Sequence, residues 1–137
     1  PIWRGGGITH GPRKDKIYKK KINKKMARKA LFTVLSAKAR DKEIAVIEGL
    51  SFPEAKTKQA AQFFTNLARQ DDLGRITKGN GALVALAARD DKTKRALRNL
   101  PFVSVDLARN INAHGVLQYK YMVLSREAVA GFASAKK

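Results

Sequence analysis

The sequence predicts an α/β protein: a three-layer α/β/α domain around a mostly parallel sheet, preceded by an extended basic arm. Three observations predict it. From residue 24 onward, apolar runs of strand length alternate with amphipathic runs of helix length, the order that builds parallel sheets through helical crossovers. At 137 residues and 44% hydrophobic composition, the chain matches one domain able to bury a core. The charge is also divided: residues 1–29 hold eleven cations against the single acid Asp15, a net of +10, while residues 30–137 hold the other +8 of the total +18.

Residues 1–22 form the predicted arm and residues 23–137 the globular domain. In the arm Trp3, Ile8, Ile17, Tyr18 and Ile22 stand isolated among charges, and Gly5-Gly6-Gly7 and Gly11-Pro12 interrupt any regular element. Such a segment buries too little to offset its ordering entropy, so it is expected to take shape only against a partner. Asn23 is placed to cap a helix over 24–41, with Ala27, Ala30, Leu31 and Val34 on an apolar face and Lys25, Arg28 and Lys29 roughly opposite. Residues 43–48 read as a short buried strand, and Gly49 and Pro53 mark the loop after it. Thr57 is placed to cap a helix over 58–70 with Ala60, Ala61, Phe64, Leu67 and Ala68 facing inward. Lys78-Gly79-Asn80-Gly81 is a turn, 82–87 a strand, and Asp91 the expected cap of a helix over 92–99 that ends before Pro101. Residues 102–106 form another strand, Asn112 caps a short helix over 113–119, 121–124 is the last strand, and Ser125 caps a helix over 126–134.

A net charge of +18 implies a polyanionic partner, and nucleic acid fits best. No apolar run approaches the roughly 20 residues a membrane span needs; an anionic membrane surface is the alternative partner, but it calls for a basic amphipathic helix with bulky apolar residues opposite. There is no cysteine, which excludes a disulfide scaffold and a thiolate metal site. His10 and His114 are far apart, in no metal-binding or triad pattern, and the acid pairs Asp71-Asp72 and Asp90-Asp91 fall at helix ends. A phosphate loop follows a strand and opens a helix, and neither the glycine triplet nor Lys78–Gly81 does so. Catalytic, cofactor and metal residues are therefore expected to be none.

The residues expected to contact RNA lie in the arm and the first helix. Arg4, Arg13 and Arg28 can grip phosphate bidentately, and Lys14, Lys16, Lys19, Lys20, Lys21, Lys24, Lys25 and Lys29 supply point charges. Gly5, Gly6 and Gly7 let the backbone approach phosphates closely. Trp3 can stack on a base or sugar, and His10 and Asn23 complete the set. The rival readings are a free-standing DNA or RNA binder and an RNA-modifying enzyme, the latter requiring a cofactor loop that the sequence does not show.

The segment Pro1-Ile2-Trp3-Arg4-Gly5-Gly6-Gly7-Ile8-Thr9-His10-Gly11-Pro12-Arg13 resembles the hallmark of the ribosomal protein L-four family, as does Asn23-Lys24-Lys25-Met26-Ala27-Arg28-Lys29-Ala30-Leu31 followed by Leu35-Ser36-Ala37-Lys38. Pro53 to Lys58, Asn99-Leu100, Val105-Asp106, Asn112 and Val123-Leu124-Ser125 continue the likeness in order. The resemblance implies a structural rRNA binder: an α/β/α domain on the outer surface of the large subunit, with a long basic loop reaching the nascent-peptide exit tunnel. Residues 1 to about 22 would be the loop's returning arm. Its partners would be large-subunit rRNA and neighbouring large-subunit proteins, with no membrane, no cofactor and no homo-oligomer. The family's first strand, first helix and outgoing arm have no counterpart here, so a separate chain or sequence upstream of Pro1 would supply them. His10 stands where many members carry an aromatic. The short loops resemble bacterial or organellar members, which places the chain on ribosomes of a bacterial cytoplasm, a mitochondrion or a plastid.

Overall fold

The computed structural model describes residues 2, 4–7, 10–52 and 54–134. The first helix, α1, spans Lys24–Arg40 and is followed by strand β1 at Ile44–Ile47. Helix α2 (Thr57–Leu67) leads through a 3-10 turn at Asp71–Leu73 to β2 (Ala82–Leu86). Helix α3 (Asp91–Leu97) connects to β3 (Val103–Leu107), and a second 3-10 turn at Ala108–Asn110 leads to α4 (Ala113–Gln118). Strand β4 (Tyr121–Ser125) and α5 (Arg126–Ser134) close the chain of elements. Each strand and helix predicted from residue 24 onward is present. The two 3-10 turns were not anticipated, because three-residue turns leave no periodic signal.

The sheet is all parallel, in the order β1-β4-β2-β3. Its register pairs Ile44 with Met122, Ala82 with Tyr121 and Ala82 with Val103, so the three inner seams are aligned. Side chains alternate across the sheet. Ala82, Val84, Leu86, Tyr121 and Val123 face one core with Ala60, Phe64, Ala96 and Leu97 of α2 and α3. Leu83, Ala85, Met122 and Leu124 face the other, with Leu31, Val34 and Leu35 of α1, Val116 of α4 and Ala128 of α5. Because β2 and β4 are covered on both faces they read as unbroken apolar runs, as strands inside a parallel sheet do. Three edge-to-face ring pairs, Phe52–Phe63, Phe63–Phe64 and Phe64–Phe102, fill the α2 side with centroids 5.4–6.2 Å apart.

Several local expectations need correcting. The run 43–48 is an edge strand rather than a buried one, since Val46 is 59% exposed. Asp90, not Asp91, caps α3: its carboxylate accepts the Lys92 N–H at 3.0 Å and the Thr93 hydroxyl. The side chain one residue later has already entered the helix and pairs with Arg89 instead. Asn23 and Lys56 occupy the N-cap positions of α1 and α2 without a side-chain cap bond, and Thr57 is the first helical residue. The caps at Asn112 (to Gly115 N–H, 2.7 Å) and Ser125 (to Ala128 N–H, 3.1 Å) form as expected.

Two positions have conformations their neighbours dictate. A Cβ on Gly81 would overlap the Ile76 carbonyl oxygen and lie 3.1 Å from that of Phe102. The same stretch carries Tyr121 N–H to Gly81 O at 2.8 Å and Ala82 N–H to Phe102 O at 2.9 Å, so it cannot retreat without losing sheet pairing. Lys42 adopts φ +55 just after α1, the left-handed position that ends many helices and favours glycine.

Candidate nucleic-acid interface

Helix α1 carries no acid along its 17 residues. Lys24, Lys25 and Lys29 are exposed, and Arg28 is half-buried with its guanidinium carbon 5.4 Å from the Phe32 ring centroid. Four cations thus crowd the end of a helix where the backbone dipole is already positive, an arrangement that costs roughly 0.3–1 kcal/mol per charge unless an anion is present. The N-terminal N–H groups, uncapped by Asn23, point the same way and suit a phosphate oxygen. The structure therefore brings Asn23, Lys24, Lys25, Arg28 and Lys29 onto one helix end.

The remaining sequence-predicted residues precede it. Residues 4–7 and 10–22 contain no helix or strand, and Arg4, Gly5, Gly6, Gly7, His10, Arg13, Lys14, Lys16, Lys19, Lys20 and Lys21 are all exposed. Gly5 has φ +82, a backbone that side chains other than glycine's rarely adopt. The Lys16 N–H donates to the Arg13 carbonyl at 3.3 Å, and the Lys16 ammonium lies 5.2 Å from the Tyr18 ring centroid. Trp3 lies outside the described residues. Among the described residues none of these cations is in an ion pair.

Lys38 has a different role. It is buried, with Nζ 2.8 Å from Glu43 Oε2 and 2.6 Å from the Lys120 carbonyl, tying the end of α1 to the starts of β1 and β4. Other acids are also engaged by near neighbours: Glu54 by Lys56 at 2.8 Å and Asp91 by Arg89 at 3.0 Å. The Thr93 hydroxyl is the main reason the Asp90 carboxyl titrates below its ordinary range. Partial burial opposes it, and the Thr93 and Lys92 N–H groups and the Lys92 charge reinforce it.

Sequence reasoning assigned no role to the cations of the body. Lys92, Lys94, Arg95 and Arg98 stand exposed along α3 and its C-cap, and none is in an ion pair among the described residues. The signal that could have singled them out is the run Arg89 to Arg98, five cations and two acids, once both acids are seen to be occupied.

An apolar groove of about 690 Å³ opens between the N-terminal half of α1, the 3-10 turn at Ala108–Asn110 and α5. Met26, Ala27, Ala30, Leu31, Ile111 and Phe132 line it together with Arg28, Arg109, His114 and Glu127. Ala27 and Ala30, predicted to face the core, are exposed there, because the second core begins only at Leu31. His114 meets no clustered nucleophile or second histidine in that lining. Among the described residues no three His, Asp or Glu side chains are grouped to hold a metal ion, and no helix is long and apolar enough to cross a membrane.

Fold and surface together define a class: a doubly wound α/β domain whose unpaired cations, among the described residues, crowd the segment before α1 and helices on both faces of the sheet. Within that class, the chain belongs to the ribosomal protein L4/L1 family, whose model matches residues 1–135. It is 37% identical over 130 residues to the large ribosomal subunit protein uL4 of Desulforudis audaxviator, covering 95% of this chain and 58% of that protein. The uL4 proteins of Thermotoga maritima (33% over 148 residues, 95% and 59% covered) and Neisseria gonorrhoeae (35% over 130 residues, 95% and 58%) are similar in the same way. The chain thus spans just under three-fifths of the length of these relatives.

Proposed function

We propose that this chain is a structural, non-catalytic constituent of the large ribosomal subunit that binds rRNA and supports translation there. The observation that carries the proposal is the density of cations from Arg13 to Lys29, ten against the single acid Asp15 and none in an ion pair among the described residues, in a chain matched by the ribosomal family over nearly its whole length. Residues 1–22 act as an extended rRNA-binding arm and residues 23–137 as its globular anchor. Arg4, Arg13 and Arg28 clasp phosphates, and Lys14, Lys16, Lys19, Lys20, Lys21, Lys24, Lys25 and Lys29 displace counterions. Gly5, Gly6 and Gly7 admit close backbone approach, and Trp3, His10 and Asn23 complete the contacts. The arm's path runs near the nascent-peptide exit tunnel. The setting is the ribosome of a bacterial cytoplasm or of an organelle with bacterial-type ribosomes, among neighbouring large-subunit proteins and without self-association or a cofactor.

Filter binding to bacterial large-subunit rRNA across a salt series tests the proposal. If six to ten phosphates are neutralised, affinity falls by roughly 10³–10⁵ between 50 and 200 mM salt. Affinity that is flat with salt, or equal for an unrelated neutral polymer, overturns it.

A further inference from the structure

We propose that the outer surface of α3 is a second RNA-phosphate contact face, so that the domain holds two rRNA segments, one on each side of its sheet. The inference rests on the ribosomal reading above but concerns residues that reading does not use.

Helix α3 packs beside α2 on one face of the sheet, whereas α1 packs on the other. Thr93, Ala96 and Leu97 turn inward and are buried. That leaves Lys92, Lys94, Arg95 and Arg98 pointing to solvent within about 9 Å of helix axis. Lys94 and Arg98 are four residues apart, and Lys92–Arg95 and Arg95–Arg98 three apart, spacings at which like charges repel by roughly 0.2–0.5 kcal/mol per pair. Lys92 is attracted by the Asp90 carboxylate, but none of the four is in an ion pair among the described residues. Asp90 is occupied capping the helix and Asp91 pairs with Arg89. Lys58 on the neighbouring α2 and Arg69, just past the end of that helix, add two exposed cations, while Glu54 is held by Lys56. Asp72, beyond the end of α2, reaches Lys42 at 3.8 Å.

The chemistry of the face selects the partner. The large hydrophobic side chains that are exposed, among them Met26, Phe32, Val46 and Leu117, all lie outside α2 and α3. A lipid surface needs bulky apolar residues to insert, which this face lacks. A protein interface buries its aromatic or arginine anchors in a core depleted of lysine, whereas here lysines and arginines are mixed and all exposed. The face's exposed polar groups on α2, Gln62, Thr65 and Asn66, can hydrogen-bond sugar hydroxyls and phosphates, as RNA backbone recognition requires.

The test compares the whole chain with the variant Lys94→Gln/Arg95→Gln/Arg98→Gln and with Lys24→Gln/Lys25→Gln/Lys29→Gln, using bacterial large-subunit rRNA. Glutamine keeps the length and helix propensity of the side chains it replaces, and circular dichroism checks the fold. The α3 variant is expected to lower the log–log salt slope by about 2–3 and to weaken binding at least tenfold at moderate salt. Hydroxyl-radical footprinting is expected to show two separated protected segments for the wild type, the α3 variant losing one and the α1 variant the other. Lys94→Arg, which keeps the charge, is expected to leave both slope and footprint unchanged. An α3 variant with the wild-type slope and both footprints overturns the proposal while leaving the ribosomal reading intact. One that keeps rRNA binding but loses a neighbouring ribosomal protein overturns the choice of RNA as partner. If the wild type itself ignores rRNA at low salt, the ribosomal reading fails and this proposal with it.

Discussion

Lys38 and Lys25 sit on the same helix with the same side chain, and replacing them is expected to have opposite consequences. In Lys38→Met the aliphatic stem is kept and the ammonium removed. Glu43 then loses its 2.8 Å partner and the Lys120 carbonyl its 2.6 Å donor. Removing one member of a fully buried pair costs about 3–5 kcal/mol. The Glu43 side chain is 24% exposed, so water recovers part of that, leaving about 1–2 kcal/mol. The stranded carbonyl adds about 1 kcal/mol. A total of about 2–3 kcal/mol corresponds to a fall in Tm of roughly 6–12 °C for a domain of this size. Affinity for rRNA, measured below the melting range, should stay within about twofold. Lys25→Gln should leave Tm within about 1 °C and weaken rRNA binding in a salt-dependent way. Thermal melts and filter binding on both variants decide the matter. If Lys38→Met melts like the wild type yet binds rRNA poorly, Lys38 is an RNA contact and not a tie between α1 and the sheet.

Other substitutions probe the frame. Gly81→Ala should cost about 3–5 kcal/mol, because relieving the overlap with the Ile76 carbonyl forces strain of about 1–3 kcal/mol and weakens two sheet hydrogen bonds of about 1 kcal/mol each; urea unfolding reads it directly. Lys42→Gly should stabilise by up to about 1 kcal/mol, since glycine takes the left-handed conformation freely and the exposed 3.8 Å contact with Asp72 contributes little. Asp90 is held below its ordinary pKa in the folded state. Its contribution is therefore present above the unfolded carboxylate value of about 3.9 and lost as pH falls through the lower folded value. Stability measured from neutral pH into that acid window should fall less steeply for Asp90→Asn than for the wild type, and parallel curves would contradict the assignment.

Much of the fold was legible because its signals are local. The apolar runs at 82–87 and 121–124 and the periodic faces at 58–70 and 126–134 state burial residue by residue, and the caps at Asn112 and Ser125 are single-residue signals. The misplaced cap at α3 shows the limit of such reading: Asp90 and Asp91 are chemically identical, and only the backbone angle at which the chain enters the helix decides which one bonds to Lys92 and Thr93. The candidate interface was legible in its arm and first helix, where cations are dense and acids are absent. It was illegible in α3, where a count of charges sets two acids against the cations and only the structure shows both engaged.

The sequence by itself determined the class of the protein and the sign of its surface, since hydrophobic periodicity and net charge are sums over neighbouring residues and need no knowledge of distant contacts. Only the tertiary structure decided the strand order β1-β4-β2-β3 and which lysine is buried and which is free. It also decided that the apolar face of α1 continues past the core into an open groove. Those outcomes depend on groups far apart in the chain, Lys38 and Lys120 in contact or Ala27 and Phe132 lining one groove, whose placement is set by how the layers pack.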